Sequence, residues 1–351
     1  LALESGNEQS VDRAVWNCVT CNACGELCPR GIEIIDVMKA VRTLNIGGDR
    51  APARFKAPLL SLTDNGNPWD GERQKRLQWA DNLGIPDFVP GHEYCLFTCC
   101  TTAYDPNSAA AGRSLPPLLQ AAGVSFGTLG ILESCCGDQA QKMGAADIFN
   151  ALSSRNSELF LGAGVKKILT VSPHCLNAFK NNYPDLKGLV ISEHYTELLY
   201  RLIAAGRLRL SREVGYTVTY HDPCYLGRNN GIYEAPRRVL QSIPGLRLVE
   251  MFNSRENSVC CGGGGGGAWS DDQRIGLSRV TEAMGTGAEV IATACPYCIR
   301  MLNDAVKELG VQNQIMVRDV SELLAQSVAM GDETIIVEHV ERDLDQEAVY
   351  V

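Results

Sequence analysis

Fifteen cysteines dominate the chemistry available to this chain of 351 residues. The first group reads Cys18-x-x-Cys21-x-x-Cys24-x-x-x-Cys28-Pro29. This spacing is typical of a run that wraps a [4Fe–4S] cubane cluster, because short intervals let successive thiolates reach the corners of one cube. In two-cluster ferredoxins the fourth cysteine of such a run binds the other cluster. Either Cys28 therefore closes its own cluster, or a second run lies upstream of Leu1 or on a partner.

A second group brings five cysteines from three separate segments. It reads Cys224-x35-Cys260-Cys261-Gly262-x32-Cys295-x-x-Cys298. Closely packed thiolates repel one another unless metal cations compensate their charge, so the pattern predicts a multi-iron site. The glycine run 262–267 that follows the cysteine pair is expected to permit close approach of a cluster or a substrate, and Gly262 is a candidate cofactor-binding residue.

A third group repeats the second at an offset near 124 residues. It contains Cys100, Cys135, Cys136 and Cys175, but Ser172 stands where the second group has its fourth cysteine. Serine is a poor replacement for a soft thiolate, so this site is expected to hold a smaller or different cluster, a zinc ion, or nothing. Two further cysteines, Cys95 and Cys99, lie in the apolar segment 94–99, where core packing is expected of them.

Histidines supply the acid–base candidates. His221 precedes Cys224 by three residues and could donate a proton to a thiolate leaving group, although a turn histidine bonded to Asp222 is an equal alternative. His174 could act as a substitute ligand, but a surface loop position is favoured for it, and His194 is expected to be structural. The chain has no dinucleotide fingerprint and no P-loop, so its electrons are expected to come from another subunit.

The periodicity predicts a mixed α/β fold of two tandem repeated modules behind a small α-helical domain. Alternating strands and helices indicate βαβ units, with strands at 94–99, 167–171, 217–220 and 290–293 and helices such as 115–122 and 234–243. The predicted organisation is an α-helical cluster domain at 1–50, a linker at 51–90, a first module at 91–215, a second module at 216–330 and an acidic extension at 331–351.

Composition excludes several classes of function. The formal net charge is −9 and the isoelectric point is near 5.2, which argues against nucleic acid as a partner. No apolar run approaches the roughly 18 residues of a membrane span. No secretory leader opens the sequence, and the cysteine pattern favours metal binding over disulfides, so a reducing cytoplasm is the expected location.

These motifs resemble the Cys-Cys-Gly (CCG, cysteine-rich domain) family of heterodisulfide reductase catalytic subunits and their relatives, which include iron–sulfur subunits of anaerobic dehydrogenases. The resemblance covers nearly the whole chain. It implies that the five cysteines of the second module hold a noncubane [4Fe–4S] cluster that cleaves a disulfide in one-electron steps; the residues concerned are Cys224, Cys260, Cys261, Cys295 and Cys298.

Two functions are compatible with that resemblance. One is a disulfide reductase subunit that passes electrons from the N-terminal cubane to the second module. The other is an electron relay between a flavin dehydrogenase and a quinone or membrane partner. Flavoprotein, iron–sulfur or membrane haem subunits are the implied partners, and through one of them the chain could lie on the inner face of a membrane. A zinc interaction module is disfavoured because tetrahedral zinc takes four ligands and the second module offers five.

Overall fold

The computed structural model describes residues 8–48, 51–270 and 275–328, with side chains from residue 13 onward. The predicted acidic extension at 331–351 lies outside these residues. Within them, no helix is both long enough and apolar enough to cross a bilayer.

Three helices surround the N-terminal cysteine run: α1 (Glu8–Asn17), α2 (Ala23–Glu26) and α3 (Ile34–Asn45). Buried apolar residues of α1 pack against Phe55 and against Met143 of the first module. The N-terminal segment is therefore helical and docked on the modules, while its ferredoxin-like character stays a prediction.

The segment predicted as a linker, 51–90, contains helical structure of its own. A 3-10 turn (Ala53–Phe55) leads into α4 (Lys56–Asp64), and a second 3-10 helix covers Arg73–Ala80. Phe55 and Trp79 are buried, and the fully buried Arg76 reaches the first module. This segment thus contributes packing and polar contacts to the fold.

The remaining described residues form two sheets of four parallel strands, ordered β2-β1-β3-β4 and β6-β5-β7-β8. The strands are β1 (Tyr94–Phe97), β2 (Phe126–Gly127), β3 (Lys167–Thr170), β4 (Ile191–His194), β5 (Thr217–Tyr220), β6 (Arg247–Val249), β7 (Val290–Thr293) and β8 (Met316–Asp319). The two sheets have the same strand order relative to the chain, which confirms the predicted α/β repeat.

Helices join these strands. They are α5 (Cys100–Tyr104), α6 (Ala109–Ala121), α7 (Asp138–Met143), α8 (Ala146–Gly162), α9 (Pro173–Asn177, continued by a π-helical turn at Ala178–Asn182), α10 (Tyr195–Ala204), α11 (Glu234–Ser242), α12 (Ile275–Met284), α13 (Pro296–Glu308) and α14 (Val320–Ser327). Short 3-10 turns cover Gly130–Leu132, Pro184–Leu186, Arg255–Asn257 and Gly267–Trp269.

The two modules share one apolar core. Helix α6 of the first module packs on α14 of the second, and α10 packs on α11. One continuous cluster of buried residues runs from Leu96 and Leu169 in the first sheet to Val218 and Ala292 in the second. Burial of apolar surface across this contact therefore holds the carboxyl ends of the two sheets in a defined relation.

Candidate metal centres

The five cysteines of the second module converge at the carboxyl edge of its sheet. Cys224 follows β5, and Cys295 caps the N-terminus of α13 directly after β7. The Sγ atoms of Cys224 and Cys260 lie 4.0 Å apart, and the thiol of Cys261 contacts those of Cys260 and Cys298. Cys295 in turn contacts Cys298, and all five side chains are buried. The predicted convergence of this group is therefore present in the structure.

Contacts among these thiols shift their pKa values in opposite directions. The thiols of Cys260 and Cys298 donate to Cys261 and lower its pKa to about 5. The pKa of Cys224 is raised well above its usual value, first by its contact with Cys260 and then by burial. Five buried thiols cannot all ionise in an apolar setting without a compensating cation. This donor set fits a multinuclear iron–sulfur cluster, since soft thiolates are the ligands such clusters use.

His221 lies against the second-module thiols and is fully buried. Its ring and the Sγ atoms of Cys261 and Cys298 offer three ligand atoms within 4.8 Å of one another. Nδ1 of His221 accepts a 3.1 Å hydrogen bond from Nε of Arg279, which leaves the ring proton of the neutral form on Nε2. Burial and the nearby Arg279 hold the pKa of His221 well below its usual value. The alternative of a turn histidine bonded to Asp222 is wrong, because Nδ1 of His221 accepts from Arg279, Nε2 has no hydrogen-bond partner within the described part of the chain, and Asp222 pairs with Arg237.

The cysteines of the first module surround a small cavity that opens between the two modules. Cys100 contacts Cys135, and Cys136 contacts Cys175, so the four predicted residues do converge. One guanidinium nitrogen of Arg76 donates to Sγ of Cys100 at 3.3 Å, and the other pairs with Glu133 at 3.1 Å. The sequence gives no sign of this cation, since Arg76 lies in the segment predicted as a linker.

Cys99 is buried in the same apolar cluster as Cys95, as expected, but it also lines this cavity. Its thiol contacts Cys175 and Ser172, and contact with Cys175 is the main reason its pKa falls to about 6. The strand ends at Phe97, so Cys99 leaves the sheet and caps α5. Cys95 behaves as predicted: it is fully buried inside β1 among apolar neighbours.

The N-terminal run meets the second module through Cys21. The thiol of Cys21 contacts that of Cys260, and this contact, with burial, raises the pKa of Cys21. Cys18 lies near both Cys21 and Cys24, and Cys24 is exposed to solvent. Cys28 is partly exposed, and the backbone amides of residues 30–32 lower its pKa. The structure thus places one end of the run beside the second-module thiols and the other end at the surface.

The glycine run 262–267 packs against the N-terminal cysteine loop and does not line an open substrate site. The run passes so close to the N-terminal cysteine loop that a Cβ on Gly264 would collide with the carbonyl of Val19, and one on Gly265 would lie 2.6 Å from the carbonyl of Cys18. At its start, the amide of Gly262 donates to Sγ of Cys260 at 3.3 Å. The expected close approach is therefore made by protein backbone.

Arg42 joins the N-terminal domain to both modules. The fully buried guanidinium donates to the carbonyls of Val15 (2.6 and 3.0 Å) and Cys18 (2.6 Å) within its own domain. It also donates to the backbone carbonyls of Lys142 in the first module (2.7 Å) and Gly265 in the second (2.9 Å). One side chain thus holds the N-terminal cysteine loop, α7 and the glycine run together.

The modules exchange side chains between their sites. His174 is buried, stacks on Tyr225 of the second module at 4.1 Å between ring centroids, and pairs through Nδ1 with Asp138 at 2.8 Å. Burial would lower the pKa of His174, but the ion pair with Asp138 raises it overall. Tyr297 of the second module lines the cavity of the first and lies 5.0 Å from the His174 ring. The expected surface position of His174 is wrong.

The other predicted histidine role is confirmed. His194 is fully buried and accepts a hydrogen bond from the amide of Thr196 at the start of α10, which is a structural role. Sequence reasoning missed Tyr225, Tyr297 and Asp138. A signal existed for Tyr297, because the repeat aligns Ser-Pro-His174-Cys with Cys-Pro-Tyr297-Cys.

Comparison with known proteins agrees with this geometry. The model of the cysteine-rich domain, CCG, matches residues 94–180 and 218–303. The EtfAB:quinone oxidoreductase of Syntrophomonas wolfei is 37% identical over 88% of this chain and 46% of its own length. The probable iron-sulfur-binding oxidoreductase FadF of Bacillus subtilis is 37% identical over 92% of this chain and 47% of its own. The chain thus spans about half the length of these two relatives.

A third relative is covered more completely. It is one of the subunits of the dihydromethanophenazine:CoB–CoM heterodisulfide reductase of Methanosarcina barkeri, and it is 34% identical over 90% of this chain and 78% of its own length. With two matched repeats, and relatives that align over about nine-tenths of it, the chain belongs to the cysteine-rich (CCG) domain family of iron–sulfur redox proteins.

Proposed function

We propose that the chain passes electrons from a [4Fe–4S] cubane, held by Cys18, Cys21, Cys24 and Cys28, to a noncubane [4Fe–4S] cluster in the second module, where a disulfide or related sulfur substrate is reduced. The contact between the thiols of Cys21 and Cys260 carries this proposal. It puts a ligand of one predicted centre against a ligand of the other, so no further carrier is needed between them.

The residues around this contact hold the two predicted centres at a fixed distance from each other. Arg42 and the glycine run hold the Cys18–Cys21 loop from one side. Arg228 donates to the carbonyl of Cys21 at 2.7 Å and to that of Ser258 at 2.7 Å, which ties the loop to the segment that leads to Cys260. Such buried, hydrogen-bonded supports favour a fixed geometry for electron transfer over a mobile one.

The second-module residues have separate roles in this proposal. Cys224, Cys260, Cys261, Cys295 and Cys298 hold the cluster, and Gly262 orients Cys260 through its amide. When bound, such a cluster supplies electrons one at a time, so a disulfide takes two electrons and two protons to yield two thiols. His221 is fully buried with a lowered pKa, so we assign it an N–H donor role toward the thiolates rather than the role of proton source.

The relay function is the second candidate, and burial favours it. Each of the ten cysteines that line the two module sites is at most 6% exposed. A bulky disulfide would need a route to sulfur atoms that protein now covers. The names of two relatives, EtfAB:quinone oxidoreductase and FadF, also fit a chain that hands electrons onward. In that case the partners would be a flavoprotein and a quinone-reducing or membrane subunit, with the chain held at the inner face of the membrane.

Low-temperature EPR on anaerobically purified protein separates the two candidates. Samples are prepared as isolated, oxidised with and without a thiol, and reduced, with iron and zinc counted in each. A signal that appears on oxidation and changes with thiol would support substrate chemistry at the second module. Reduced-cubane signals alone would support the relay, and zinc without iron would contradict both.

A further inference from the structure

Cys99 occupies a position where the second repeat has no cysteine. Alignment of Cys100 with Cys224 sets Cys99 against Pro223, while Ser172 stands against Cys295. By sequence, the first module therefore lacks one ligand and has one cysteine out of place. The structure relates these two departures to each other.

In both modules the thiol contacts form one continuous series. In the second module the order is Cys224, Cys260, Cys261, Cys298, Cys295. In the first module the order is Cys100, Cys135, Cys136, Cys175, Cys99. Cys99 thus contacts Cys175 as Cys295 contacts Cys298, and the two modules present equivalent sets of five thiols.

The register of the sheet explains how a residue from another segment can take this place. Strands β1 and β3 are parallel neighbours, with Phe97 opposite Thr170. Cys99 lies two residues beyond Phe97, and Ser172 lies two residues beyond Thr170. Parallel strands deliver their following loops to the same edge of a sheet, so these side chains meet, and Cys99 does contact Ser172.

Cys95 provides the contrast within the same segment. It lies inside β1 opposite Gly127 and Ile168 and is fully buried, yet it is not among the residues that line the cavity. Burial alone therefore does not distinguish a core cysteine from a ligand here. Position relative to the strand end does.

Most of the protein charge near the first-module thiols is balanced. Arg76, which donates to Cys100, forms an ion pair with Glu133, while His174 at 2.8 Å and Lys142 at 4.0 Å share Asp138. Among the described residues, at most about one buried cation is left to balance several thiolates, which favours a bound metal cluster over five ionised thiols.

We propose that Cys99 supplies the fifth thiolate of an iron–sulfur cluster in the first module, in place of the ligand that Ser172 cannot provide. This inference rests on the proposed iron–sulfur function and extends it to a second five-thiolate site. The loop after β1 then supplies the ligand that the sequence alone indicates is missing from the first module.

The test compares three variants of the whole chain, C99S, C95S and the double variant C99S/S172C, purified anaerobically beside the wild type. Iron and acid-labile sulfide are counted per chain, and EPR and Mössbauer spectra are recorded. C99S should lose the content of one cluster, about four irons, whereas C95S should keep it. C99S/S172C returns a thiol to the position of Cys295 and should restore the lost iron.

The outcomes separate this inference from the proposed function. Wild-type iron in C99S, with spectra unchanged, would overturn the role of Cys99 while leaving the second-module centre intact. Wild-type protein without iron would overturn both. If C99S fails to fold, the double variant decides: recovery of wild-type folding and iron supports the inference, and folding without the first-module iron contradicts it.

Discussion

Removal of the Arg42 guanidinium should detach the N-terminal cysteine loop from the modules. The side chain satisfies four buried carbonyls, those of Val15, Cys18, Lys142 and Gly265. Although burial lowers its pKa to about 10, the group is charged at neutral pH. In R42A these acceptors lose a charged donor, at a cost of about 1 to 3 kcal/mol each if they stay dry, and water that enters the space recovers part of it.

The expected net loss is about 3 to 5 kcal/mol of local stability, concentrated at the three segments that Arg42 joins. Native-state hydrogen exchange measures this directly, because the opening free energy of each amide is read separately. Amides of the Cys18–Thr20 loop and of residues 263–268 should exchange faster by roughly a hundredfold or more in R42A. R42K keeps the charge without the planar fork and should fall between R42A and the wild type.

Arg13 provides the matched control, since it is an exposed arginine of the same domain. R13A should leave exchange at both loops within about threefold of the wild type, as surface substitutions usually do. If R42A changed exchange at these amides by less than about tenfold, or if R13A matched it, the assigned joining role of Arg42 would be wrong.

Three further predictions concern single contacts. G265A should destabilise the chain by about 1 to 3 kcal/mol more than G231A, because both glycines have a left-handed φ but only a Cβ at Gly265 would meet the carbonyl of Cys18; thermal unfolding of the pair measures this, and equal losses would contradict it. Burial raises the pKa of Asp319 to about 6, so the folded chain binds more protons than the unfolded chain between about pH 4 and 6, and its stability should fall as pH rises through that window. D319N retains a capping side chain but cannot titrate, so its free energy of unfolding, measured by denaturant titration across that window, should lose about 2 to 3 kcal/mol of the pH dependence; identical profiles would refute the assignment. Nε2 of His221 is buried without a hydrogen-bond partner among the described residues, and in the proposed function its N–H donates toward the second-module thiolates. H221L removes this N–H and should lower the reduction potential of the second-module centre by about 50 mV in a redox titration, whereas an unchanged potential would exclude the proposed donor role.

Much of the fold can be predicted from the sequence because the repeat is visible in it. The strands predicted at Thr217–Tyr220 and Val290–Thr293 have the observed bounds, since apolar runs of β-branched residues end there at glycine, proline or cysteine loops. The strand at Tyr94 ends two residues earlier than predicted, and the fate of Cys99 depends on those two residues. The shorter strand places Cys99 in the loop that lines the first-module cavity, which the predicted strand 94–99 did not indicate.

The contacts between units are beyond such reasoning. Arg42 and Arg76 are ordinary residues in sequence, and only the folded chain brings them to carbonyls and thiols that lie tens of residues away or more. A surface position is expected of His174 because loops usually lie there, but the second module covers this loop. Tertiary packing decides these cases, because the sequence of one repeat does not show which of its residues the other repeat will cover.

His174 and Tyr297 occupy the same position in the two repeats, yet they meet each other, at 5.0 Å between ring centroids. Had two identical copies of one module assembled in this way, the same residue would have stood on both sides of that contact. Fusion into one chain removes the constraint, because each half can then change without its twin. The wall of the first-module cavity accordingly combines a phenol from one repeat with a carboxylate-paired imidazole from the other, while the scaffolds of the two repeats stay alike.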